Sequence, residues 1–253
     1  MTTILLEAPV YTLEAALLAA EYGVDRLELC ADFGEGGTTP SAGMLSHIKS
    51  QRDIPVFVMI RPRGGDFVYS EGELEVMKKD ISLFKSLGAD GFVFGVLDAK
   101  GYVDQKACGA LLEAAEGLPC TFHRAIDASA DLGQSLEAII ACGFDRILTS
   151  GGMATVSDGL ENITKMMQAA GERIIIMPGG GTLPSHLEEL ASTGYLKEVH
   201  SSCKAYRPSQ SVFFNPNLKL SEGNETVNEV LTVNKTIVEA FKNKKVPTQK
   251  WED

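Results

Sequence analysis

Short apolar runs alternate along the chain with longer stretches in which apolar residues recur every three or four positions. Eight of the short runs read as strands: ILLEA, RLELC, VFVMI, GFVFG, CTFHR, RILTS, IIIMP and EVHSS. Helical spacing is clearest over residues 71–89, where Leu74, Met77, Ile81, Phe84 and Leu87 share a face, and over 132–143, where Leu132, Leu136, Ile139 and Ile140 do. Strands that alternate with amphipathic helices predict parallel βα units.

A weak internal repeat sharpens this reading. YGVDRLEL, LGADGFVF, CGFDRILT and TGYLKEVH each join a helix end to a strand through a glycine and two linking residues. Gly23, Gly88, Gly143 and Gly194 suit the left-handed position just past a helix. These four segments precede the second, fourth, sixth and eighth runs, whereas the third and fifth begin after Pro55 and Pro119. Eight βα units in four similar pairs predict a closed (β/α)8 TIM barrel, an α/β fold in a single domain over residues 1–245. An open doubly wound sheet is the competing architecture, but no G-x-G-x-x-G follows the first strand. Residues 204–223 read as irregular and polar. A closing helix is expected over 225–242, with Thr226 and Glu229 at capping-box spacing and Val227, Val230, Val233, Ile237 and Phe241 on its buried face. Residues 246–253 read as a mobile tail. The irregular segment is long enough to cover the barrel mouth or to meet a second copy in a homo-oligomer.

The strands share an odd feature: several end in charge. FVMIRPRGGDF stops at Arg61 and Arg63, and TFHRAID places His123 beside Arg124 with Asp127 three residues on. In a barrel of parallel strands all C-terminal ends lie on one face, where active sites of this fold sit. Alternation refines the picture. Leu27 and Leu29 share one face of RLELC, so Glu28 and Cys30 take the other, facing the barrel interior. By the same argument Glu7, Arg61, His123 and His200 point toward the centre of the mouth. Such charges could simply pair, Glu28 with Arg61 and Glu7 with His200, since a buried charge needs a partner whatever the function. Five ionisable groups at one end nevertheless exceed what packing requires, which favours a functional pocket.

The loops add backbone donors. Ser150, Gly151 and Gly152 follow the sixth strand; Gly179, Gly180 and Gly181 follow the seventh; FGEGGTTPSAG follows the second. With Arg61, Arg63 and Arg124 these segments could hold a small phosphate or carboxylate, although glycine-rich loops are also ordinary tight turns. His123 is a candidate general base oriented by Glu28 or Asp127; a histidine in a satisfied polar network is the plainer alternative. Cys30 and Cys203 lie at the mouth end and could ligate a soft metal such as Cu(I), or fill space as buried cysteines do. Because the first strand lies between the strands that carry them, joint ligation by both within one chain is not expected. Cys108, Cys120 and Cys142 read as packing residues. There is no HExxH, four-cysteine cluster or histidine-rich tract to indicate a structural zinc site.

Composition narrows the classes further. With 253 residues, 44% of them hydrophobic, the chain can bury a large core. A formal net charge of −11 argues against nonspecific binding to nucleic acid or anionic lipid. No apolar stretch approaches the roughly 18 residues of a membrane span, and the first residues lack the basic, then apolar, pattern of a secretory signal. Five scattered cysteines without a C-x-x-C pair fit reduced thiols in a cytoplasmic protein.

Taken together, RLELC, GGTTPSAG, MIRPRGGDFVYSEGELEVMKKDI, GADGFVFGVLDAKGYVD, TFHRAID, RILTSGG and MPGGG resemble the CutC family, in order and over residues 1 to about 203. The resemblance implies a TIM barrel, a cytoplasmic location and an association with copper homeostasis through Cu(I) binding. It brings no agreed enzymatic reaction. An enzyme acting on a small anionic metabolite therefore stands beside the copper reading. The segment after residue 203 is the least family-like part of the chain.

Overall fold

The computed structural model describes residues 4–215, 217 and 228–244. Eight strands, β1 (Leu5–Val10), β2 (Arg26–Leu29), β3 (Val56–Met59), β4 (Gly91–Phe94), β5 (Cys120–Phe122), β6 (Arg146–Thr149), β7 (Ile175–Pro178) and β8 (Glu198–His200), form one parallel sheet. Its order is β7-β6-β5-β4-β3-β2-β1-β8. The remaining seam closes by side-by-side contact of β7 with β8, so tightly that a Cβ on Gly179 would lie 3.1 Å from His200 Cβ. The result is the expected (β/α)8 barrel.

The connecting helices are α1 (Leu13–Tyr22), α2 (Ala42–Gln51), α3 (Glu71–Ser86), α4 (Gln105–Ala115), α5 (Leu132–Cys142), α6 (Val156–Ala170) and the short α7 (Leu187–Ala191). Their starts follow capping chemistry. Thr12, Ser41, Ser70, Asp104, Asp131 and Thr155 each accept a backbone N–H of the first turn, and Ser70 with Glu73 completes a capping box. The four repeat glycines take φ of +93°, +85°, +91° and +80°, the left-handed turn that delivers the chain from helix to strand. On α3, Met77, Ile81 and Phe84 are buried, as their spacing predicts.

Alternation divides the strand residues between two environments. Leu6, Ala8, Leu27, Leu29, Val58, Phe92, Phe94, Phe122 and Val199 point outward and join the helices in the main core. The inward residues form only a small apolar cluster of Cys30, Phe57, Met59 and Val93, with Tyr11 against it. Gly91 makes room for the Phe57 ring, since a Cβ there would lie 2.6 Å from it. Leu148 and Met177 also lie inside, and the rest of the interior is largely polar.

The C-terminal reading needs correction. The irregular segment starts as a strand, β9 (Lys204–Pro208), which pairs antiparallel with β10 (Glu229–Val233) in the register Tyr206↔Leu231. A helix begins only afterwards, as α8 (Lys235–Asn243), capped by Asn234. The β-branched Val230, Thr232 and Val233 favour the strand, and a side-chain cap at Asn234 starts the helix there. Val230 and Val233 thus belong to the hairpin, while Val238 and Phe241 form the buried face of α8. Thr226, Val227 and the tail at 246–253 lie outside the described residues. The hairpin is tied to α1: Thr12 Oγ1 donates to Leu231 O at 3.1 Å and Arg207 forks onto Glu14.

One close contact fixes the approach of α6 to the barrel. A Cβ on Gly159 would fall 1.8 Å from the carbonyl oxygen of Ser150, at the end of β6. Gly159→Ala would gain about 1 kcal/mol in helix propensity, but overpacking against backbone costs about 3 kcal/mol. The variant is therefore expected to unfold at lower urea concentration than the parent, with unchanged slope.

Candidate functional site

The interior charges begin below the mouth. Arg26, on β2, ion-pairs with both Glu7 of β1 and Glu198 of β8. Arg146, on β6, approaches Glu198 at 3.3 Å and Thr121 Oγ1 at 3.4 Å. Both guanidiniums lie against the Phe57 ring, with Arg26 Cζ 4.6 Å and Arg146 Cζ 4.9 Å from its centroid. Arg26, Arg146 and Glu198 escaped the sequence reading, although each shares its strand's inward parity with a residue that was singled out: Arg26 with Glu28, Arg146 with Ser150, Glu198 with His200.

Above this layer, Glu28 and His200 meet at 2.9 Å, Oε2 to Nε2, while Glu7 Oε1 is 3.9 Å from the same nitrogen. Burial alone would push the imidazole down, but the Glu28 and Glu7 carboxylates outweigh it and hold His200 above the ordinary 6.5. The expected pairing of Glu28 with Arg61 does not form, and Glu7 has Arg26 as its main partner. Arg61 instead clamps two loops, donating to the carbonyls of Glu35 (2.6 Å), Gly37 (3.0 Å) and Gly65 (2.8 Å) and lying over Phe67. Three carbonyls take up the two Nη groups, while Nε is buried without a hydrogen-bond partner.

Arg63 turns away from the mouth. It pairs with Glu73 at 2.6 Å and Asp66 at 3.0 Å beside the start of α3. Arg124 stays at the mouth, held by Asp127 at 2.8 Å and Ser150 Oγ at 2.6 Å. Asp127 does not orient His123. Its carboxylate accepts from Ser150 N, Gly152 N, Ser150 Oγ and Thr149 Oγ1 at 2.5–3.1 Å, and Gly151 N donates to Thr149 Oγ1. The loop at 150–152 is thus an oxyanion cradle filled by the protein's own carboxylate. In the 179–181 loop, Gly179 N donates to Thr149 O. The N–H groups of Gly180 and Gly181 have no acceptor among the described residues.

His123 caps a 3-10 turn over Arg124–Ala128, its Nδ1 accepting from Ala125 N at 3.3 Å. The proton therefore sits on Nε2, which is buried and has no partner. Burial, helped by the Arg61 guanidinium, pushes His123 from 6.5 down to about 3. It is a neutral N–H donor near pH 7 and is not poised as a general base.

The candidate thiols separate. Cys30 is inside the barrel, directly behind Tyr11 and Met59; a Cβ on Gly37 would lie 3.4 Å from both Cys30 Sγ and Met59 Cε. Burial, reinforced by the Glu28 carboxylate, pushes its thiol well above 9.0. Cys203 packs in the outer core, and burial raises its thiol to about 11. Cys108, Cys120 and Cys142 are packing residues, and all five cysteines are free thiols.

These groups surround a cavity of about 650 Å³ at the C-terminal ends of the strands. Glu28, His200, His123, Arg61, Arg124, Asp127, Met59, Tyr11, Gly180, Gly181 and Lys204 line it. Lys204, from β9, lies 5.0 Å over the Phe33 ring, so the hairpin contributes a cation to the rim.

Fold and site define a (β/α)8-barrel protein whose polar, charge-lined mouth is the candidate site. The CutC family profile matches residues 4–205, and the chain belongs to that family. It is 44% identical over 216 residues to the human copper homeostasis protein cutC homolog, covering 85% of this chain and 79% of that protein, with the same figures for the mouse protein. A CutC family protein of Xylella fastidiosa is 44% identical over 200 residues, covering 79% of this chain and 75% of the relative. The solved structure of the Streptococcus agalactiae CutC protein superposes with a TM-score of 0.73 at 34% identity, covering 79% of this chain and 98% of that one.

The buried histidine generates a pH prediction. A group with folded pKa about 3 and unfolded pKa 6.5 binds more protons when unfolded. Its contribution to stability is therefore complete above 6.5 and is lost as pH falls, at up to about 1.4 kcal/mol per unit. In chemical denaturation between pH 4 and 7, His123→Gln should show a flatter loss of stability toward acid than the parent.

Proposed function

We propose that this CutC protein serves copper homeostasis in the cytoplasm, the role its human and mouse relatives are named for, by holding Cu(I) on Cys30 and Met59 beside the barrel mouth. The observation that supports the reading is the convergence of two sulfur side chains on one spot next to Gly37, with Met59 on the cavity wall. Thiolate and thioether are soft donors suited to Cu(I), and five free thiols fit a reducing compartment. Cys203, packed outside the barrel, plays no part.

The cost lies in the thiol, which must lose its proton to bind metal. Its raised pKa makes Cu(I) affinity modest near neutrality and dependent on pH. In anaerobic competition with a Cu(I) chelator, corrected for the chelator's own pH dependence, affinity should rise roughly tenfold per pH unit between pH 6 and 8. Cys30→Ser should abolish stoichiometric binding, Met59→Leu should weaken it, and Cys203→Ser should leave it unchanged. Parental affinity in Cys30→Ser would rule out this site.

A second reading is favoured by the rim. Arg124, Lys204, His123, Gly180 and Gly181 line one cavity, which suits a small phosphate or carboxylate metabolite. Arg61 is a poor probe because its removal would unclamp two loops. Lys204→Ala spares the barrel and should weaken binding of inorganic phosphate or a dicarboxylate by about fivefold in calorimetry, an effect of about 1 kcal/mol. If a broad panel of such anions gives no heat with the parent, the anion reading fails.

A further inference from the structure

Glu7, Glu28 and His200 come from three adjacent strands, β1, β2 and β8, and meet at the base of the mouth. In the ladder, Glu7 is level with His200, and Glu28 pairs with Pro9, two residues further along β1. One donor atom from each of the three side chains lies within 4.8 Å of the others. Glu7 is 0% exposed, Glu28 2% and His200 8%, so the cluster is interior, yet Glu28 and His200 also line the cavity that opens to solvent.

An independent observation marks this cluster as incomplete. Each carboxylate has one oxygen engaged, Glu7 Oε2 by Arg26 and Glu28 Oε2 by His200. The other two oxygens, Glu7 Oε1 and Glu28 Oε1, are buried without any hydrogen-bond partner. A single unsatisfied buried acceptor is costly, more so when charged, and native interiors hold few of them. Here there are two beside one imidazole, and Glu7 Oε1 is directed at the imidazole nitrogen. With His200 neutral, the interior holds three carboxylates, those of Glu7, Glu28 and Glu198, against the guanidiniums of Arg26 and Arg146. A dication that displaces the His200 proton restores the positive charge that the proton supplied and ligates both orphan oxygens. Arg26, which holds Glu7 from below, acts as the outer partner that orients a ligating carboxylate.

We propose that Glu7, Glu28 and His200 form a binding site for a divalent transition cation, such as Zn²⁺, Mn²⁺ or Fe²⁺, with its open coordination positions facing the cavity. Two carboxylate oxygens and one imidazole nitrogen are harder donors than sulfur and select this class over Cu(I). Three protein ligands on one side leave room for water or a ligand oxygen on the other. The site is distinct from the sulfur pair at Cys30 and Met59, and either can fail while the other stands.

The test uses the full chain after chelator treatment and dialysis, titrated with Co²⁺ alone. Saturable binding of one Co²⁺ per chain is expected, with visible ligand-field bands and no thiolate-to-cobalt charge transfer. Glu28→Gln, isosteric, and His200→Asn should each weaken binding at least about tenfold while retaining the parental circular dichroism spectrum, and Cys30→Ser should bind as the parent does. A second measurement needs no variant: ¹¹³Cd bound to the parent should resonate in the oxygen and nitrogen range, far from sulfur-ligated cadmium. Absence of saturable Co²⁺ binding, parental affinity in folded Glu28→Gln and His200→Asn, or a sulfur-range ¹¹³Cd resonance would each overturn the proposal.

Discussion

A guanidinium near the axis of a barrel cannot be left alone. Arg26 is 4% exposed, and removing such a charge from water without a partner would cost more than the margin by which a domain is stable. The polar interior follows from that demand. Glu7 closes on Arg26 from the neighbouring strand β1 and Glu198 from β8 beyond it, Arg146 reaches the same Glu198 from β6, and both guanidiniums lie against the Phe57 ring. Glu7 is level with Arg26 in the ladder and Glu198 with Leu5, so strand register and ion pairing specify each other: slipping one strand by one residue would send its charges into the outer apolar core.

The network also explains why the mouth is reactive in character rather than merely polar. A carboxylate held from beneath through one oxygen presents the other upward. Glu7 does so above Arg26, and Glu28 does so beside His200. The two histidines are then driven apart by their surroundings. His200, among carboxylates, favours its proton; His123, between Phe67, Phe122 and the Arg61 guanidinium, rejects one. The same residue type thus meets opposite electrostatic surroundings within one cavity, which composition alone could not distinguish.

The barrel was legible from apolar runs and repeat glycines, and two-residue alternation correctly sent Glu7, Glu28, Arg61, His123 and His200 inward. The same rule carried further than it was taken. It would have found Arg26, Arg146 and Glu198 at the opposite ends of the same strands, and counted from His200 it sets Cys203 outward, in the outer core where the thiol packs. What alternation could not supply was the choice of partner. Arg61 is long enough to reach either Glu28 or the loop carbonyls, and the conformation of two loops decides between them. The hairpin at 204–208 and 229–233 was hidden because its strands are separated by about twenty residues, and β10 runs into the pattern of α8 with only Asn234 to mark the boundary.

Asp127 carries a consequence for how the mouth treats solutes. Its carboxylate is tethered three residues from Arg124 and already sits on the N–H groups of Ser150 and Gly152, so it acts as a resident competitor. A tethered group presents itself at an effective concentration on the order of millimolar or above, and free anions gain no foothold at that loop merely by being plentiful. A ligand that enters must find its contacts at Gly180, Gly181, Lys204 and the Glu28–His200 pair instead. That loop is thereby closed to solution oxyanions by one side chain that is itself an oxyanion.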